Sequence, residues 1–119
     1  MPYGKELILD LHNCKSLKED EIQDFCEELC ESIGMQVEDF HLWMSEPDDE
    51  KDPKTYGISA VQFILTSNIT VHILPLLNNG TVYINLFSCK DFNECKAIDF
   101  CKKRFCVRGL INSHIIERI

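Results

Sequence analysis

The stretch from Gly57 to Cys89, GISAVQFILTSNITVHILPLLNNGTVYINLFSC, decides the fold. It contains three runs with the composition of strands: Ile58–Leu65, Ile69–Pro75 and Thr81–Ser88. The polar tripeptide Thr66-Ser67-Asn68 separates the first two runs and predicts a turn. Asn78-Asn79-Gly80 predicts a hairpin turn before the third run, because Asn and Gly readily adopt positive φ. The stretch therefore predicts three consecutive strands joined by short connections.

The segments before this stretch predict a strand, a helix and a second strand. Leucines recur at every second position of Glu6–His12, which is typical of a strand with one buried face. A helix is predicted from a capping box at Ser16-Leu17-Lys18-Glu19 to a C-cap at Gly34. Its apolar face consists of Ile22, Phe25, Cys26, Leu29, Cys30 and Ile33. Strand composition returns over Gln36–Met44, and the proline- and acid-rich segment Ser45–Lys54 predicts a solvated loop.

The residues after Cys89 predict a second helix and a final strand. Asp91-Phe92-Asn93-Glu94 offers capping residues, Gly109 is expected to end the helix, and Ile111–Ile119 forms the last strand. The predicted apolar face of this helix comprises Cys95, Ile98, Cys101 or Lys102, and Phe105. The order βαββ-ββαβ has many short connections, which disfavour parallel crossovers. We therefore expect one α+β domain, residues 1–119, folded as a two-layer α/β sandwich with a mainly antiparallel sheet and both helices on one face.

A two-layer sandwich leaves the other face of its sheet uncovered. Ile, Val and Phe occupy both faces of several predicted strands. Apolar residues on the second face indicate that it is buried against another surface. We therefore expect a homodimer that covers this face.

Composition excludes several classes of function. Twelve Lys and Arg stand against 20 Asp and Glu, which gives a net charge of −8. Because no basic stripe offsets this acid, nucleic acid is not expected as a partner. No apolar run reaches the roughly 18 residues of a membrane span, so no membrane partner is expected either. A cationic small molecule or a neutral protein fits the charge better.

The chain has seven cysteines, an odd number, and its N-terminus has no signal-peptide pattern. We therefore expect a reducing, cytoplasmic location and free thiols. The spacings Cys26-x3-Cys30 and Cys101-x4-Cys106 do not match a zinc site, so no metal is predicted. Every cysteine except Cys89 is expected to be a small core residue.

Four short motifs inside the 57–89 stretch resemble those of the small bacterial and archaeal S-adenosylmethionine decarboxylases. They are Gly57-Ile58-Ser59-Ala60, Thr66-Ser67-Asn68, Ile69-Thr70-Val71-His72-Ile73-Leu74-Pro75 and Asn85-Leu86-Phe87-Ser88-Cys89. The spacing from Ser59 through Ser67 and His72 to Pro75 matches the family without a gap. The resemblance extends to Leu7–Leu11 with Cys14, to Phe40-His41, and to the last helix and strand, so it covers nearly the whole chain.

This resemblance implies a self-processing enzyme with a pyruvoyl cofactor made from its own serine. Ser67 attacks the carbonyl of Thr66, and the chain is cleaved between these two residues. His72 then removes the serine α-proton, while Ser59 holds the tetrahedral intermediate. The pyruvoyl group acts as an electron sink during decarboxylation, and Cys89 returns the proton as general acid. The product feeds spermidine and polyamine synthesis.

Several positions depart from the family pattern. Around the cleavage site, Thr66 replaces an acid and Asn68 replaces a histidine. The family's Trp-Pro-Glu is Leu74-Pro75-Leu76, and its glutamate hydrogen-bonds the ribose of the substrate. Each unpaired ribose hydroxyl costs roughly 1–3 kcal/mol, so Leu76 weakens nucleoside binding. The residues expected to bind the substrate are Asp10 and Trp43, whose ring could stack on the adenine. The family's aspartate before Leu86 is also replaced, by Asn85.

Two other interpretations remain open. The chain is a pyruvoyl decarboxylase of a smaller amino acid, such as ornithine or arginine, or it is a non-processing, non-catalytic homologue that acts as a dimeric binding or regulatory protein. Each of the four proposed catalytic residues also has an ordinary structural explanation when taken singly. Ser67 could be an ordinary turn serine, and His72 a core histidine. Ser59 could hydrogen-bond a neighbouring backbone group, and Cys89 could be a small apolar residue.

Overall fold

The computed structural model describes residues 2–46 and 50–119. Within these residues the chain forms six strands and two helices. In chain order they are β1 (Gly4–His12), α1 (Glu19–Ser32), β2 (Val37–Met44), β3 (Ile58–Ile64), β4 (Ser67–Leu74), β5 (Thr81–Ser88), α2 (Glu94–Arg104) and β6 (Ile111–Arg118). The predicted order of elements is therefore confirmed.

All six strands belong to one sheet with the order β2-β3-β4-β5-β1-β6, and every neighbouring pair is antiparallel. The chain inserts β1 between β5 and β6, so the two ends of the chain meet in the sheet. Helix α1 packs against β2 and β3, and α2 packs against β1 and α1. The predicted α+β two-layer sandwich with an antiparallel sheet is confirmed.

The hydrophobic core lies between the sheet and the helices. Alternate residues of the central strands point into it, as the leucine alternation in β1 predicts. The most deeply buried strand residues are Leu7, Leu9, Leu11, Ile69, Val71, Ile73, Val82, Ile84 and Leu86. Phe25 of α1 is completely buried, and its ring contacts Phe105 edge-on at 4.9 Å and Phe100 at 5.9 Å between centroids. These rings hold the two helices together.

Helix α1 begins later than the sequence predicts. Ser16 does not cap it; its hydroxyl instead donates to the carbonyl of Leu17 (3.4 Å). The N-cap is Lys18, whose backbone N–H donates to the carboxylate of Glu21 (3.0 Å), so only the glutamate half of a capping box forms, two residues further on. The predicted C-cap is confirmed, because Gly34 has φ 76° and the N–H of Met35 donates to the carbonyl of Cys30 (2.8 Å).

Helix α2 is shorter than predicted, and of its predicted apolar face Cys101 and Phe105 are buried and Ile98 packs against the core, whereas Cys95 is exposed. Asn93 is the N-cap and accepts from the N–H of Lys96 (3.0 Å). The buried positions of the helix are Ala97 and Cys101, followed by Phe105 at the C-cap. This i, i+4 row excludes Cys95. Cys106, directly after the C-cap, has the left-handed φ of 47°, so the helix ends before Gly109 is reached.

The cysteines differ in how deeply they are buried. Cys26, Cys30 and Cys101 lie in the core as predicted, and burial raises the pKa of Cys26 and Cys101 to about 12. Cys14 is half-buried against the core. Cys95 and Cys106 are exposed, so the prediction that they fill the core is wrong. The phase and the early end of α2 are the reason.

Of the two turns predicted in the 57–89 stretch, one is confirmed and the other is shorter than predicted. Asn78, Asn79 and Gly80 all have positive φ, as the predicted hairpin turn requires. The turn between β3 and β4 is shorter than predicted: it consists of Leu65 and Thr66 alone, and Ser67 is already the first residue of β4. A single chain therefore holds Ser67 in regular sheet pairing rather than in a loose loop.

The base of the predicted solvated loop is buried. The hydroxyl of Ser45 accepts from the N–H of Gly57 (3.0 Å), and the N–H of Ser45 donates to the carbonyl of Gly57 (3.0 Å). Ser45 is therefore only 8% exposed. Glu46 and residues 50–55 are exposed, in agreement with the prediction, and residues 47–49 lie outside the described part of the chain.

The second face of the sheet, which we call the open face, is not covered by either helix. It carries apolar residues from four strands: Ile8, Val61, Phe63, Phe87 and Ile116. Phe63 and Ile116 are 44% and 45% exposed, and the other three are half-buried. No helix in residues 2–46 and 50–119 is long and apolar enough to span a membrane.

Candidate active site

The turn before Ser67 has an unusual backbone conformation. Thr66 has φ 53°, in the left-handed region that a β-branched residue rarely adopts. Such a conformation costs on the order of 1–3 kcal/mol. The two-residue connection between paired strands imposes it, because Ile64 and Ser67 are already in register. The peptide bond between Thr66 and Ser67 is thus held in a strained turn.

The hydroxyl of Ser67 is only slightly exposed and contacts Cys89 twice. Its oxygen accepts from the backbone N–H of Cys89 (3.1 Å), and it donates to the Cys89 sulfur (3.6 Å). The hydroxyl of Thr66 lies 3.0 Å from the same sulfur. These contacts arise because β5 runs beside β4 and ends at Ser88, next to the start of β4. We call Thr66, Ser67 and Cys89 the cleavage cluster.

The cleavage cluster lowers the pKa of Cys89 below the ordinary value for a thiol. The main cause is the hydrogen bond from Thr66, followed by the bond from Ser67, since both hydroxyls can donate to a thiolate. Tyr3 adds a smaller contribution of the same sign. Cys89 differs in this respect from the core cysteines, whose pKa values burial raises.

Removing the Thr66 hydroxyl will therefore raise the pKa of Cys89. In a Thr66→Val variant the thiolate loses its strongest donor, so site-resolved alkylation of Cys89 by iodoacetamide at neutral pH will slow and its pH midpoint will rise. Thr70→Val, in β4 and remote from the sulfur, is the matched control and will leave the midpoint unchanged. An unchanged midpoint in Thr66→Val would mean that this hydroxyl does not contact the thiolate.

Two cavities flank Ser67. One, of about 310 Å³, lies between the end of α1 and the end of β5, and its lining includes Gly34, Leu65, Ser67 and Cys89. The other, of about 290 Å³, lies at the open face beside Phe63, Asn68 and Phe87. A group formed at residue 67, the first residue of β4, would thus have space on both faces of the sheet.

Lys5 fixes the segment that follows Cys89. Its ammonium is largely buried and contacts the carboxylates of Asp91 (2.7 Å) and Glu94 (2.8 Å), and it donates to the carbonyl of Phe92 (2.7 Å). Tyr3 and Lys5 also line a cavity of about 380 Å³ beside Cys89. Sequence reasoning missed both residues, because only the pairing of β1 with β5 brings them to Cys89.

Four of the predicted site residues lie in one row across the open face. The register pairs Trp43 with Ser59, Ser59 with His72, His72 with Tyr83, and Tyr83 with Asp10. The Ser59 hydroxyl lies 2.8 Å from Nδ1 of His72. Trp43 is 60% exposed at the edge of the sheet. The row therefore contains a serine–histidine pair flanked by an aromatic ring on one side and a carboxylate on the other.

The cleavage cluster and the Ser59–His72 pair do not meet within one chain. Ser67 points to the helix side of the sheet, in phase with buried Ile69, whereas His72 points to the open face. The two residues are five positions apart along β4, which is roughly 16 Å. Leu76 lies further still, in the connection after β4, and is 44% exposed. A single chain holds the predicted site residues in two groups.

Among the described residues, 2–46 and 50–119, no three His, Cys, Asp or Glu side chains form a group that could hold a metal ion. The chemistry available in the site is that of hydroxyl, thiol, imidazole and carboxylate groups.

Comparison with known proteins identifies the family of this chain and a shared fold. The profile of the S-adenosylmethionine decarboxylase family matches residues 5–118. A search of curated proteins found no match. A crystal structure of the adenosylmethionine decarboxylase from Aquifex aeolicus VF5 has the same fold, with a TM-score of 0.78 at 16% sequence identity over 98% of this chain and 91% of that one. Because the family profile spans nearly the whole sequence, this chain belongs to the S-adenosylmethionine decarboxylase family, whose members generally depend on a pyruvoyl group.

Proposed function

We propose that this protein is a self-processing, pyruvoyl-dependent S-adenosylmethionine decarboxylase that supplies aminopropyl groups for spermidine and polyamine synthesis. The observation that carries the proposal is the cleavage cluster. A serine hydroxyl lies beside a thiol with a lowered pKa, and the preceding peptide unit is strained. Neither an ordinary turn serine nor a small core cysteine requires this combination.

In the processing reaction the Ser67 hydroxyl attacks the carbonyl carbon of Thr66, and the amide becomes an ester. The strain at Thr66 is released when the peptide unit is lost, so it lowers the barrier to this step. The hydrogen bond from the Cys89 N–H holds the Ser67 oxygen in place. His72 then takes the α-proton of Ser67, and the ester leaves as the carboxylate of Thr66. Water hydrolyses the dehydroalanine that remains at residue 67 to the pyruvoyl group, with release of ammonia.

The pyruvoyl group, once formed from Ser67, supplies an electron sink for the departing carboxylate of an amino acid. Cys89 is adjacent to that position and holds the proton that is returned to the product. Asp10 and Trp43 provide a carboxylate and an exposed ring for a cationic, aromatic substrate. The two cavities at Ser67 support access of a substrate to residue 67 from both faces of the sheet.

The proposal includes a homodimer in which the open faces of two sheets pack against each other. A two-fold axis running across the strands at the level of Thr70 would bring His72 of a second copy opposite Asn68, the neighbour of Ser67. Face-to-face sheets are about 10 Å apart, which side chains from both copies can span. The apolar residues of the open face and the separation of the two site groups support this arrangement.

One observation favours a second candidate, the pyruvoyl-dependent decarboxylation of a smaller amino acid such as ornithine or arginine. Leu76 stands where the family has the glutamate that binds ribose, and it offers no acceptor to the two hydroxyls. A substrate without ribose would lose nothing by this replacement.

The experiment is to incubate the purified chain, measure its intact mass, and assay carbon dioxide release from labelled substrates. We expect fragments 1–66 and 67–119, with Ser67→Ala remaining whole, and turnover of S-adenosylmethionine. Release from ornithine or arginine alone would establish the second candidate. Cleavage without turnover of any of these substrates would contradict both, and a chain that never splits would point to a non-catalytic homologue.

A further inference from the structure

We propose that Cys89 is the general base that activates Ser67 for self-cleavage, in addition to its role in returning a proton to the product. The inference rests on the proposed self-processing and concerns its first step. It assigns the acyl shift to residues of one chain, and it leaves to His72 only the later removal of the α-proton.

The position of the Cys89 sulfur carries the inference. It is 3.6 Å from the Ser67 oxygen, with the hydroxyl donating toward sulfur. The same serine oxygen accepts from the Cys89 backbone N–H, so the backbone and the side chain of Cys89 together hold the Ser67 hydroxyl in place. A nucleophile, its base and a group that orients the pair are the parts that hydroxyl activation requires. His72 is roughly 16 Å along the strand and on the other face.

The surroundings of the sulfur suit a thiolate. The Thr66 hydroxyl lies 3.0 Å from the sulfur and also donates to the carbonyl of Leu65 (2.8 Å). When it turns its proton to the sulfur it stabilises the anion, and the pKa of Cys89 lies below the ordinary value. The two lysines that share cavities with Cys89 are bound to other groups. Lys5 is bound to Asp91 and Glu94, and Lys90 donates to the carbonyl of Gly34 (2.9 Å). Glu117 and Tyr3 line the outer cavity.

The step is balanced without any further reactant. The proton of the Ser67 hydroxyl moves to the Cys89 sulfur as the serine oxygen bonds to the carbonyl carbon of Thr66. The bond from that carbon to the nitrogen of Ser67 then breaks, and the nitrogen takes the proton from sulfur. The products are an ester, a free amine and the regenerated thiolate.

The test measures the rate of cleavage after a pH jump. Precursor is prepared in acid, where the thiol is protonated, and the fraction cleaved is followed by intact mass at several pH values. We expect the wild-type rate to rise with pH and to level off above the pKa of Cys89. The midpoint is compared with that of Cys89 alkylation in Ser67→Ala. Because that variant lacks one donor to the thiolate, the cleavage midpoint should lie at or below its value.

Two variants at Cys89 and one control complete the design. Cys89→Ala and Cys89→Ser both remove the thiolate, so we expect cleavage to slow by about 100-fold or more and to lose its pH step. Cys95→Ala removes an exposed thiol outside the cluster and should cleave as the wild type does. Thermal melts of all variants show whether the fold is kept, and hydroxylamine reports any ester that accumulates.

The outcomes separate the inference from the proposed function. Cleavage at the wild-type rate in a folded Cys89→Ala variant overturns the inference alone. A chain that splits under the control of Cys89 but releases no carbon dioxide from any substrate keeps the inference and overturns the proposed function. A wild-type chain that stays whole at every pH overturns both.

Discussion

Mixing a His72→Ala chain with a Ser67→Ala chain will restore cleavage that neither shows alone. The first variant keeps Ser67 with the rest of the cleavage cluster, and the second keeps the Ser59–His72 pair. Because these groups lie on opposite faces of one sheet, only a second copy can bring the imidazole to Ser67. In a randomly exchanged equal mixture about half of the His72→Ala chains have a Ser67→Ala partner, and these should split.

The measurement is the intact mass of each chain, distinguished by a tag, after co-refolding. A double variant carrying both substitutions, mixed with the Ser67→Ala chain, is the control and should remain whole. Cleavage of the His72→Ala chain by itself would mean that this imidazole is not the base for the α-proton. If the mixture stays whole although the wild type splits, the two groups do not meet across a dimer.

Gly57→Ala will destabilise the fold by about 3 kcal/mol, or prevent folding, although the backbone at Gly57 is not in the left-handed region. A Cβ at this position would overlap the carbonyl oxygen of Ile73 on β4. Relief of the overlap requires β3 and β4 to separate at the end where Ser59 meets His72. Urea denaturation measures the free energy of unfolding, and cleavage should fall with it.

Gly34→Ala is the matched control for Gly57→Ala. Gly34 has φ 76°, but its nearest neighbour to an added Cβ is the Lys90 ammonium at 3.9 Å. The expected cost is therefore only the roughly 1–2 kcal/mol of an alanine in the left-handed region. If Gly57→Ala lowered the free energy of unfolding no more than Gly34→Ala does, β3 and β4 would not approach each other as closely at Gly57 as the structure shows.

Periodicity predicted the elements well where one face of an element is buried and the other is not. Leu7, Leu9 and Leu11 identify the core side of β1, and the row from Ile22 to Cys30 identifies that of α1. It was only partly right at α2, where Cys101 is buried as predicted but Cys95 is exposed and Ala97 is buried instead. With apolar residues on much of its surface, that helix offers no single phase to a sequence pattern.

Cap positions were predicted with mixed success, for a physical reason. Gly34 is correct because the left-handed conformation is intrinsic to glycine. Ser16 and Gly109 are wrong because the ends of these helices depend on packing. Phe105 is completely buried between α1 and α2, and the chain turns directly after it at Cys106.

The sequence by itself determined the family, the elements and the identity of the candidate site residues, because a motif and its spacing are local properties of the chain. Only the tertiary structure decided how those residues are grouped. It brought Cys89 to Ser67 through the pairing of β4 with β5, and it aligned Trp43, Ser59, His72 and Asp10 in one row. It also turned Ser67 and His72 to opposite faces, because they are five positions apart, an odd number, and strand side chains alternate.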